Sequence, residues 1–183
     1  MGMNQLPRIA VGTVQPDADP QVMIWALISA LERGGLHVQA FSSQSRFPTR
    51  DASMPLTGQG LRHLDSWLMQ PDVCAQLFYN AARFADVGLV EGQYDDPTCH
   101  CLSGGSLNTL CSWLDLPRLV VVDAARLVAC RPPVLPSGIE GILLDNVADV
   151  GQLCRVQADL EAYYGVPVLG WLAGRGLSRW LEA

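Results

Sequence analysis

Runs of apolar, often β-branched residues alternate along the chain with segments whose apolar positions fall three and four apart. The runs are Arg8–Gly12, Leu36–Phe41, Asp86–Glu91, Leu119–Asp123, Ile139–Leu144 and Pro167–Leu172. Each has the length of a strand. Leu119–Val122 and Gly141–Leu144 are nearly unbroken in apolar residues, as strands covered on both faces require. Between the runs, Pro20–Arg33, Pro71–Phe84, Ser106–Leu114 and Val147–Tyr164 carry the helical period and predict crossover helices. The alternation predicts an α/β fold: a doubly wound, mostly parallel sheet with helices on both faces, with ligands meeting the carboxyl ends of its strands. Two stretches break the pattern. Ser42–Gly60, rich in Ser, Thr, Pro and Gly, predicts a loop or lid, and Gly92–Gly105 is a second irregular segment.

Composition narrows this picture. A length of 183 residues suits one domain spanning residues 1–183, and 49% hydrophobic against 16% charged residues excludes a disordered or low-complexity chain. The net charge is −6 and all 12 cationic positions are arginine, so there is no lysine chemistry and no basic face for nucleic acid. The longest apolar stretch, Val22–Leu31, is half of what a bilayer needs and is broken by Ser29. With no signal-like start, the expectation is a cytoplasmic protein that engages neither membrane nor nucleic acid. Of six cysteines, Cys74, Cys111, Cys130 and Cys154 lie in helix-like apolar context and predict buried free thiols.

Candidate chemistry sits where strands end. The first turn reads Gly12-Thr13-Val14-Gln15-Pro16-Asp17-Ala18-Asp19-Pro20-Gln21. Two prolines delete backbone donors there and two aspartates add charge; Asp19 also reads as a helix cap, with Pro20 as the first helical residue. Glu91 and Asp123 close their strands at equivalent heights, able to share a cation or water network, while Asp123 reads equally as a cap. Cys99-His100-Cys101 forms a compact set of soft ligands without a second cluster to complete a zinc site. His63, beside Asp65, reads as a packing residue at the start of a helix or as a substrate contact.

Five blocks in order, Leu64-Asp65-Ser66-Trp67-Leu68-Met69, Ala85–Gly92, Leu119–Ala124, Gly141–Leu144 and Gly165–Gly170, resemble the P-loop-type N-terminal domain of the cobyrinate a,c-diamide synthases, relatives of dethiobiotin synthetase-like amidoligases. The resemblance implies a P-loop NTPase-like fold and ATP-dependent amidation of corrinoid or other tetrapyrrole carboxylates in cobalamin biosynthesis. It implies a nucleotide site at Gly12, Thr13, Glu91, Asp123 and Asp145, with magnesium on Glu91, and substrate contacts at Asp65 and Trp67. The chain departs from that pattern. The glycines and lysine of G-x-x-x-x-G-K-[ST] are absent, and Asp17 and Asp19 stand where phosphates would lie. At 4 Å, like charges near a protein surface repel by roughly 4 kcal/mol. Ser42–Pro48 replaces the family's K-x-G-P-D-Y, leaving Arg46 as a loop cation, and Asp145 replaces the asparagine that reads adenine. No glutamine amidotransferase domain is expected within these residues. The expectation is a degenerate relative that has lost phosphate binding and serves as a subunit for a tetrapyrrole-like ligand, a protein partner or a second copy. The alternative is an ATP- and magnesium-dependent amidoligase.

Overall fold

The computed structural model describes residues 6–15, 18–45, 51–95, 105–127 and 132–174. Its elements are β1 (Arg8–Thr13), α1 (Gln21–Arg33), β2 (Val38–Ser42), α2 (Ser53–Thr57), β3 (Arg62–His63), α3 (Pro71–Ala81), β4 (Val87–Gln93), α4 (Leu107–Leu114), β5 (Arg118–Asp123), β6 (Ile139–Val147), α5 (Val150–Tyr164) and β7 (Val168–Ala173). A single 3-10 turn, Ala124–Arg126, follows β5. The strands form one seven-stranded sheet in the order β3-β2-β4-β1-β5-β6-β7, every neighbouring pair parallel. The doubly wound α/β architecture read from the alternation is therefore the observed one.

Alternating strand positions feed two cores. On one face Ala10, Phe41, Val90, Val120, Ile142 and Leu144 pack with Phe78 of α3, Leu107 and Leu110 of α4 and Leu160 of α5. On the other, Val11, Val38, Leu89, Val121 and Leu143 pack with Met23, Ile24 and Ile28 of α1. Strands β1, β4 and β5 are hidden on both sides, which is why their sequences show no polar alternation.

Several boundaries differ from the sequence reading. Val147 is the last residue of β6 and not the start of a helix; α5 begins at Val150, where the Asp149 side chain accepts the Gln152 N–H at 2.7 Å. His63 belongs to the two-residue strand β3, not to a helix start. The Ser42–Gly60 loop contains the short helix α2. Neither β3 nor α2 is long enough to display a period. Cys74 and Cys111 are buried as expected, but Cys154 is exposed, because it lies on the side of α5 away from the sheet; Cys130 lies outside the described residues.

Glycine sets how closely α3 approaches the sheet. A Cβ on Gly88 of β4 would stand 2.5 Å from Cζ of Phe78, whose ring stacks at 4.8 Å on Phe41. Gly88→Ala is expected to cost about 1–3 kcal/mol by overpacking, read as a lower urea midpoint with an unchanged m-value.

Candidate functional site

The carboxyl ends of β1, β4, β5 and β6 bring Gly12, Thr13, Glu91, Asp123 and Asp145 to one rim of the sheet, with Gly12 paired to Gly92 and Asp123 to Asp145 in register. The turn leaving β1 is tied to the end of β5 by a glutamine. Gln15 is 7% exposed; its Oε1 accepts the Asp123 N–H at 2.6 Å and its Nε2 donates to the Asp123 carbonyl at 3.3 Å. Three N–H groups of the same turn are used internally. Gln15 donates to Thr13 Oγ1 at 3.2 Å, Ala18 to the Gln15 carbonyl at 3.3 Å, and Gln21 to Asp19 Oδ1 at 3.1 Å. The helix starts at Gln21 with Pro20 at its cap, so Asp19 stands one residue ahead of the cap position read for it and meets the helix start only through that last bond. Pro16 and Pro20 have no N–H to offer.

The carboxylates on the rim fall into two kinds. Asp123 is fully engaged: Oδ1 accepts the Ala125 N–H at 2.9 Å, while Oδ2 takes Asn146 Nδ2 at 3.0 Å and Arg126 Nε at 3.2 Å. Of its two readings, the cap is the one seen, on the turn Ala124–Arg126. Glu91 and Asp145 are nearly buried with less support. Burial pushes the Glu91 carboxyl above its usual range, the 2.9 Å bond from Gln21 Nε2 pulls it back, and negative Asp51 and Asp19 push it up again. Burial likewise raises Asp145, offset by the Asn146 N–H at 2.8 Å and reinforced by Asp123 and Asp19. Asn146 reaches both aspartates from a left-handed conformation, φ 54°.

Asp65 lies 5% exposed at the end of β3, and backbone donors occupy both its oxygens: Ser45 N–H on Oδ2 at 3.0 Å and Trp67 N–H on Oδ1 at 2.9 Å. A Cβ on Gly105 would come within 2.6 Å of Oδ1, so the segment entering α4 passes directly over the carboxylate. Ser106 fastens that segment, donating from Oγ to Asp95 Oδ2 at 2.6 Å and from its N–H to Ser66 Oγ at 2.8 Å. His63 Nδ1 donates to the Gln44 carbonyl at 3.0 Å. The result presents Trp67 outward, 69% exposed. Asp65 thus holds loops together.

Asp17, Arg46, Cys99, His100 and Cys101 lie outside the described residues. Among the described residues, no three His, Cys, Asp or Glu side chains are grouped to hold a metal ion. Nor is any described helix long and apolar enough to cross a membrane. The sequence reading passed over Gln15, Gln21, Asp51, Arg126 and Asn146. Gln15 carried a weak signal, a polar residue between an apolar strand and a proline; the others owe their role to tertiary placement.

The chain is similar over most of its length to cobyrinate a,c-diamide synthases. It is 28% identical to that of Magnetococcus marinus over 175 residues, covering 91% of this chain and 38% of the relative. It is 25% identical to that of Priestia megaterium, covering 80% of this chain and 34% of the relative, and 24% identical to that of Methanosarcina barkeri, covering 92% and 37%. It therefore spans little more than a third of the curated relatives it matches. No family model matches the chain. Among solved structures it resembles chloroplast FtsY from Physcomitrella patens, with TM-score 0.64 and 14% identity over 96% of this chain and 61% of that one. It also resembles the signal recognition particle 54 kDa protein from Aeropyrum pernix in complex with GDP, with TM-score 0.56 and 14% identity over 96% and 46%. These likenesses establish the P-loop NTPase-like α/β fold, and the resemblance read from the sequence blocks stands.

Two outcomes follow from this geometry. Asp65→Ala should cost about 1.5–3 kcal/mol in urea unfolding, since it strands backbone donors around a buried carboxylate. Because the Glu91 pKa is raised in the folded state, wild-type stability should fall as pH rises from the ordinary glutamate value through the raised one. Glu91→Gln removes that loss, so the variant should match wild type at pH 4 and exceed it at pH 8; a constant difference across this range would contradict the account.

Proposed function

We propose that this chain is a degenerate cobyrinate a,c-diamide synthase-like domain that has given up ATP phosphate binding and acts as a ligand- or partner-binding subunit. One observation supports the reading: three described N–H groups of the turn after β1 are spent within the turn. A phosphate cradle needs backbone N–H groups and a helix start turned toward the anion. Here Gln15, Ala18 and Gln21 donate internally, prolines occupy two more positions, and Asp19 lies close enough to Glu91 and Asp145 to raise both. The residues present therefore do not fit a nucleoside triphosphate with its magnesium, and no catalytic step is derived through them. The retained rim and the outward Trp67 suit a tetrapyrrole-like small molecule or a protein surface, and a place in cytoplasmic cobalamin biosynthesis belongs to the same reading. The amidoligase alternative is favoured by the shared fold and by Glu91 at the end of β4; on that reading Glu91 would hold magnesium.

Thermal unfolding with and without ligand separates the two. Saturating Mg-ATP is expected to leave the midpoint unchanged, whereas a corrinoid is expected to raise it. Stabilisation by Mg-ATP near 2.7 kcal/mol, about what a hundredfold excess over Kd gives, would put the ligase reading first.

A further inference from the structure

We draw no further inference here: the strongest candidate, the apolar edge of the sheet at β7, where Leu169 and Trp171 are 58% and 43% exposed and no described strand pairs beyond, carries nothing because nothing in the structure shows what covers it.

Discussion

The close approach of side chains to the bare backbone of Gly12 and Gly92, paired neighbours on β1 and β4, fixes the arrangement at the carboxyl end of the sheet. A Cβ on Gly12 would meet the Gly92 carbonyl at 2.6 Å and Leu107 Cδ2 at 2.7 Å; one on Gly92 would overlap Ser43 Oγ at 2.0 Å. Because both positions are empty, Leu107 brings the start of α4 down onto β1 and Ser43 carries the end of β2 against β4. Tyr94 fills the space beside Gly12 and donates from its hydroxyl to the Leu119 carbonyl at 3.1 Å, bracing β5 from below the rim. A side chain at either glycine would lift these segments and change the height at which the rim carboxylates stand.

On that base the rim divides by how its charges are met. Asp65 receives backbone donors at both oxygens, Asp123 a backbone donor at one and side-chain donors at the other, and both order the loops around them. Glu91 and Asp145 are as deeply placed but less supported, and share the field of Asp19. Folding tolerates this because the first two supply local order while the second two are held by the strands that carry them. Gln15, just past β1, is locked onto both backbone groups of Asp123 and so joins the end of β1 to the end of β5.

The order of elements, the parallel doubly wound sheet and the positions of Glu91, Asp123 and Asp145 at strand ends were legible in the sequence by itself. Long buried strands and amphipathic helices write their period directly into hydrophobic spacing, and a parallel sheet places every strand's carboxyl end on one side. The absence of the G-x-x-x-x-G-K-[ST] glycines and lysine from the first turn was equally plain. Tertiary structure alone decided the rest. The two-residue β3 and the five-residue α2 are too short to carry a period and exist through contacts with β2 and α1. Gln15 meeting Asp123 joins residues 108 apart, and Gln21 meeting Glu91 joins residues 70 apart, separations no local pattern encodes. Cys154 reads as buried from its neighbours, yet faces outward because the sheet claims the other side of α5. Local spacing fixes which face of an element is apolar; what that face meets, and which polar groups find partners at its ends, depends on chain segments far away in sequence.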